Sequence, residues 1–262
     1  MSDSGPILAL PRTLSVIVPA YNESRAIEGV VANTQAAADC LEGYEIVIVD
    51  DGSTDDTGQI ADELARRHAD VSVIHHARNR GFAAAYGSGL ARARHAYVTF
   101  LPGDNEVALG SITNIFSAVG TADIVVPYHA TPWNRTWYRR FLTWVCVTEI
   151  NLLFGWHVKY TQGNAVYPTQ LARLIPITTR HFFFITEMLV HALVAGYSFV
   201  HVPLTHQERT YGRSKALSLA NIASAEATML RLWWNVRVHG RRLIPPVGTR
   251  TAIMTSEIAG RS

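Results

Sequence analysis

The chain has 262 residues, 48% hydrophobic, 17% charged and 10% aromatic, enough apolar material for the core of one large domain. That composition excludes disorder, collagen and coiled coil, and two cysteines, Cys40 and Cys146, exclude a disulfide scaffold or a cysteine zinc site and suit a reducing compartment. The net charge of +2 conceals a split: residues 1–131 hold 8 Lys/Arg against 16 Asp/Glu, and residues 132–262 hold 15 against 5, so the second half suits a negatively charged partner or surface.

The first third alternates strand and helix. Residues 14–19 (LSVIVP) read as a buried strand, and residues 23–40 as a helix entered through Tyr21-Asn22-Glu23-Ser24. Residues 44–50 (YEIVIVD) are a second strand, and the turn Asp51-Gly52-Ser53-Thr54-Asp55-Asp56 caps a helix running to about His68. Residues 71–75 form a third strand. Residues 81–94 form a helix of small residues able to pack close to a sheet. Residues 97–101 are a fourth strand, leading into Pro102-Gly103-Asp104-Asn105-Glu106. This order predicts a doubly wound, mostly parallel α/β sheet with helices on both faces. Ligands of such sheets sit beyond the carboxyl ends of the strands, where the clusters 21–23, 50–53 and 104–106 fall.

The second half changes character. Residues 123–127 read as a strand, 186–195 as a helix and 197–203 as a late strand. Residues 133–156 set Trp137, Phe141, Trp144, Thr148 and Leu152 at helical spacing behind Arg135, Arg139 and Arg140. Residues 217–238 are amphipathic, with Leu219, Ile222, Met229, Trp233 and Val236 on one stripe, and residues 209–242 hold seven Lys/Arg against one acid, Glu226. Both stretches suit interfacial helices on an anionic leaflet. No apolar run of spanning length is free of charge, so no transmembrane helix is predicted. No secretory signal opens the chain. The eleven histidines are scattered and read as structural or surface residues, with no zinc site. The expected organisation is an N-terminal extension (1–11), a catalytic domain (12–216, divided at 131/132), an amphipathic helix (217–242) and a mobile tail (243–262).

A dinucleotide fold of the G-x-G-x-x-G type is excluded, because the first strand is followed by Ala20-Tyr21-Asn22-Glu23, and no P-loop occurs. Residues 14–23 (LSVIVPAYNE), 45–57 (EIVIVDDGSTDDT) and Asn79-Arg80-Gly81 with the helix behind them resemble the inverting glycosyltransferases of family 2. The resemblance implies a GT-A fold, a single Rossmann-like domain that binds a nucleotide-diphosphate sugar. It implies a nucleoside pocket lined by Pro19, Ala20, Tyr21, Glu23, Asp51, Asn79 and Gly81. Family members carry Asp-x-Asp after the fourth strand. Here Asp104 matches the second aspartate and Pro102 stands in place of the first, so one usual metal contact is missing. Glu106 supplies a carboxylate nearby, and Asp104 with Glu106 would suffice for Mg²⁺ or Mn²⁺ held with the diphosphate.

The later motifs, Tyr160-Thr161-Gln162-Gly163-Asn164, Phe184-Ile185-Thr186-Glu187-Met188 and Arg209 with Gly212-Arg213-Ser214-Lys215, are similar to those of polyprenol-phosphate sugar synthases of the dolichol-phosphate mannose synthase type. The resemblance implies a peripheral enzyme of the cytoplasmic membrane face that transfers one sugar to a polyprenyl phosphate. Arg209, Arg213 and Lys215 would offset repulsion between two anions, arginine as a fork and lysine as a point charge. Glu187, implied as a catalytic-site carboxylate, serves as base if the acceptor is a sugar hydroxyl, or orients a basic residue or the donor sugar if it is a phosphate. Two other readings stand beside this one: transfer to a hydroxyl of a lipid-linked or surface glycan, and a non-catalytic nucleotide-sugar binder. The expected partners are the donor, the lipid phosphate and a membrane surface, with room for an integral membrane partner and none for nucleic acid. Either GDP-mannose or a UDP-sugar is compatible with the named pocket.

Overall fold

The computed structural model describes residues 8–129, 137–177 and 183–205, together with Leu230, Trp233 and Trp234. Apart from those three, the amphipathic segment 217–242, the tail 243–262 and the domain limits placed there lie outside the described residues. In chain order the strands are β1 (Thr13–Ala20), β2 (Gly43–Asp50), β3 (Val71–His75), β4 (Tyr97–Phe100), β5 (Ile124–His129), β6 (Tyr167–Pro168) and β7 (Phe199–Leu204). The helices are α1 (Ile27–Ala37), α2 (Thr57–Arg67), α3 (Phe82–Arg92), α4 (Leu109–Ser117), α5 (Trp137–Phe154), α6 (Thr169–Leu174) and α7 (Phe184–Val194).

The first four strands are parallel, and β6 adds antiparallel at the edge, in the order β3-β2-β1-β4-β6. β1 and β2 lie in the middle and read as continuous apolar runs because both of their faces are covered. On one face, Val16, Val18, Ile46 and Ile48 pack with Ile27 and Val31 of α1, Leu64 of α2 and Ile112, Ile115 and Phe116 of α4. On the other, Ile17, Val47 and Val49 pack with Tyr86 and Leu90 of α3, Leu171 of α6 and Phe184, Met188 and Leu189 of α7. The small residues of α3 permit this approach: a Cβ on Gly89 would collide with the Ile17 side chain.

The doubly wound, mostly parallel sheet is therefore present. β5, predicted as a strand, does not extend it but pairs in parallel with β7 as a separate two-stranded sheet, tied to the β6 segment through a Val125–Val166 bridge. Three elements carry no prediction above: α4, β6 and α6. Helix α5 buries Ile150 and Phe154 in a third cluster with Phe183 and Val190, against which Trp156 and Trp233 pack. Its other face leaves Phe141, Trp144 and Leu152 at 56%, 61% and 79% exposure.

Candidate active site

Parallel pairing brings three strand ends to one edge. Ala20 lies opposite Asp50, and Asp50 opposite His75. β4 ends earlier, but the chain continues along β1: the Leu101 N–H donates to Ile17 O at 2.9 Å and the Gly103 N–H to Pro19 O at 3.1 Å. Gly103 is needed for that approach, since a Cβ there would come within 3.0 Å of the Ala20 Cβ. Donors 101 and 103 face β1 and position 102 alternates away, so proline is tolerated there. This segment delivers Asp104 beside the end of β1.

The loops beyond β1 and β2 are stitched together by side chains. The Asn22 N–H donates to Ser53 Oγ at 3.0 Å, the Thr54 N–H to Asn22 Oδ1 at 2.8 Å, and the Glu23 N–H to Thr57 Oγ1 at 2.8 Å. Asn22 holds φ 58°, a left-handed conformation that asparagine tolerates. Tyr21 projects from this loop, 42% exposed, next to half-buried Glu23, while Pro19 and Ala20 are buried at the strand end. Gly52 turns the chain after β2 with φ 73°, and a Cβ there would run into the Arg78 backbone.

Asp51 is 4% exposed and fully engaged. It accepts the Arg80 N–H at 2.9 Å and the Gly81 N–H at 2.7 Å, and its Oδ1 lies 2.6 Å from His76 Nδ1. His76 Nε2 in turn lies 2.9 Å from Ser88 Oγ. Asp51 thus anchors the loop that presents exposed Asn79 and sets Gly81, at φ 90°, as the entry to α3. Asp50 is organised differently. Burial acts to raise its pKa, but the Ser53 hydrogen bonds and His75 outweigh it and hold the carboxyl below its ordinary value.

His75 and His76, read from the sequence as structural or surface residues, contact the aspartates at this edge: His75 meets Asp50 and His76 meets Asp51. The signal was present: the sequence sets His75-His76 at the end of one predicted strand and Asp50-Asp51 at the end of another, and the structure pairs Asp50 with His75 in register and joins His76 to Asp51 just beyond the strands.

Asp104 and Glu106 share one turn, with the Glu106 N–H donating to Asp104 Oδ1 at 3.2 Å and Asn105 between them at φ 55°. Among the described residues, no three His, Cys, Asp or Glu side chains form a group fit for a metal ion. Two hard carboxylates on one turn are no preassembled cage. They do fit a small divalent ion that keeps its waters and takes its remaining ligands from a diphosphate.

Glu187 lies in the first turn of α7 and is 1% exposed. Phe184, three residues earlier on the same face, packs with Tyr86 and Phe82 at ring distances of 5.3 and 5.6 Å, and both rings pack on Phe100 of β4. Thr186 Oγ1 approaches Thr161 O at 3.4 Å, and Thr99 of β4 donates to the carbonyls of Asn164 and Ala165 at 3.2 Å. These contacts hold α7 and the 161–165 loop to β4, the strand whose continuation carries Asp104. Arg209, Arg213 and Lys215 lie outside the described residues.

Comparison with known proteins shows the family and the fold. The family description "Glycosyl transferase family 2" matches residues 15–190. The polyprenol monophosphomannose synthase of Mycolicibacterium smegmatis is 30% identical over 248 residues, 90% of this chain and 91% of that protein. The undecaprenyl-phosphate mannosyltransferase of Micrococcus luteus is 28% identical over 211 residues, 76% of this chain and 85% of that protein. Among solved structures, glucosyl-3-phosphoglycerate synthase of Mycobacterium tuberculosis, in complex with Mn²⁺, UDP and phosphoglyceric acid, has a TM-score of 0.65 at 18% identity, covering 85% of this chain and 78% of that one. This last likeness concerns the fold.

Proposed function

The chain belongs to glycosyl transferase family 2, and on that premise we propose that it moves one sugar from a nucleotide-diphosphate sugar to a polyprenyl phosphate at the cytoplasmic membrane face. The observation that carries the acceptor class is the likeness, along nearly the whole of both chains, to an enzyme named for a polyprenol monophosphate product.

In this reading the donor lies across the ends of β1, β2 and β4. Pro19, Ala20, Tyr21 and Glu23 border the nucleoside from β1. Asp51 works through the loop it anchors, which brings Asn79 and Gly81 to the same side. Asp104 and Glu106 would hold Mg²⁺ or Mn²⁺, which supplies positive charge to the leaving diphosphate. The acceptor phosphate carries about −1.5 to −2 charge near pH 7 and is already a nucleophile, so the chain's task is to bring it close to another anion. Arg209, Arg213 and Lys215 are assigned that task. Glu187, deep in an apolar helix, orients a basic group or the donor sugar and need not take a proton.

Peripheral membrane contact fits the exposed Phe141, Trp144 and Leu152 on α5 and exposed Leu230 and Trp234. Among the described residues, no helix is long and apolar enough to cross a membrane.

Thermal unfolding with GDP, UDP and Mn²⁺ tests the donor site. A nucleotide in about hundredfold excess over its Kd stabilises the fold by about 2.7 kcal/mol. One nucleotide should raise the melting midpoint at lower concentration than the other, and more so with Mn²⁺. No shift with either would contradict a donor site at these strand ends.

A further inference from the structure

The geometry points to His75 as a positioning residue of the donor site: as an imidazolium it clamps the carboxylate that orders the turn after β2. His75 ends β3 directly opposite Asp50. Its Nδ1 lies 3.1 Å from Asp50 Oδ2 and its Nε2 lies 3.0 Å from Asp62 Oδ1 on α2. A carboxylate only accepts, and a neutral imidazole donates from one nitrogen alone. Both contacts are hydrogen bonds only when both ring nitrogens carry protons.

The surroundings favour that form. Asp62 first, and then Asp50, raise the pKa of His75 above the ordinary imidazole value against an opposing effect of partial burial. These carboxylates come from the two elements packed on the end of β3. The rest of β3 carries no titratable side chain, and the adjacent His76 turns to Asp51 and Ser88. α2 closes over the pair at Gly58, where a Cβ would lie 2.7 Å from Asp50 Oδ2.

Asp50 transmits the clamp. Its second oxygen accepts the Ser53 N–H at 2.9 Å, and Ser53 Oγ accepts the Asn22 N–H at the base of the Tyr21–Glu23 loop. A neutral His75 can donate to Asp50 or to Asp62 but not to both, and it turns a lone pair toward the other. Order in the turn is therefore present below the raised pKa of His75 and is lost as pH rises through it. The consequence for nucleotide affinity rests on the donor-site reading above; the consequence for turn order does not.

The test combines three measurements on the full chain from about pH 6 to about pH 9. Ring-nitrogen NMR follows His75 protonation, hydrogen exchange corrected for intrinsic rate follows the Asn22, Ser53 and Thr54 amides, and calorimetry follows binding of GDP and UDP with Mn²⁺. In the wild type, protection of these amides should fall by roughly two- to tenfold as His75 deprotonates, one charge-assisted hydrogen bond discounted for partial exposure. Nucleotide affinity should fall over the same interval. Asp62→Asn should move both transitions to lower pH, His75→Gln should abolish them, and Glu63→Gln on the same helix should leave them in place. Protection that does not change with His75 titration, or that changes equally in His75→Gln, would overturn the clamp. Failure of both nucleotides to bind at any pH would overturn the donor site, while the exchange data would still decide the clamp.

Discussion

At the residue scale the account turns on a few carboxylates held in different ways. Asp104 has no preceding aspartate to share a metal with, because Pro102 occupies that place. Asp104→Asn should therefore abolish turnover, and Glu106→Gln should raise the Mg²⁺ or Mn²⁺ concentration needed for half-maximal activity. An unchanged metal titration in Glu106→Gln would remove Glu106 from the metal site. Glu45, at the opposite end of the sheet, is a structural counterpart. It is 2% exposed and accepts the Ser15 hydroxyl at 2.7 Å and the Arg94 N–H at 2.6 Å. Burial acts to raise its pKa, but those hydrogen bonds and the Arg94 guanidinium outweigh it and hold the pKa below the usual carboxylate value. A depressed folded pKa means stability present above the unfolded value and lost as pH falls through the folded one. Glu45→Gln should lower stability near neutral pH by about 1–3 kcal/mol and flatten the acid limb of the unfolding curve, measured in denaturant. A mutant curve parallel to wild type down to low pH would contradict this. The strand-end acids were legible in the sequence because acids directly after apolar runs stand out. The near-complete burial of Asp51 and its bonds to two peptide N–H groups were not, since they depend on where the 76–81 loop returns.

At the scale of elements, β1 to β4 and α1 to α3 were legible because short apolar, β-branched runs alternate with helix-length stretches and turn residues bound them. α4 was missed because its sequence, LGSITNIFS, mixes glycine, serine, threonine and β-branched residues, and only Ile112, Ile115 and Phe116 mark its buried face. β6 has two residues, too few for any period, and exists only because β4 offers it an edge. α5 was expected from the spacing of its aromatics. Its exposed face now permits a clean experiment, because Phe141 and Trp144 stack on each other, rings 6.1 Å apart, at 56% and 61% exposure. Replacing both with serine should leave the unfolding free energy within about 0.5 kcal/mol of wild type and reduce sedimentation with anionic vesicles. Undiminished sedimentation would take α5 out of the membrane contact.

At the scale of the whole molecule, the charge split has a structural counterpart. The acidic half supplies the sheet core and the strand ends assigned to the donor; the basic half supplies α5, α7 and the segment that carries Arg209, Arg213 and Lys215. Family and fold were legible because the motifs sit at the ends of successive strands of one sheet. The acceptor residues Arg209, Arg213 and Lys215 were assigned only through resemblance, and they lie outside the described residues. The most direct test of the central claim is therefore transfer of labelled sugar to a short polyprenyl phosphate, compared with a free glycan. The account predicts transfer to the phosphate. Arg209→Ala or Lys215→Ala should lower acceptor use by about 10- to 100-fold, the value of a charge-assisted hydrogen bond, with nucleotide affinity little changed. Glu187→Gln should be tolerated better than loss of a general base, which typically costs about 10²- to 10⁴-fold. Transfer to the glycan alone, insensitive to Arg209→Ala and Lys215→Ala but abolished by Glu187→Gln, would contradict it.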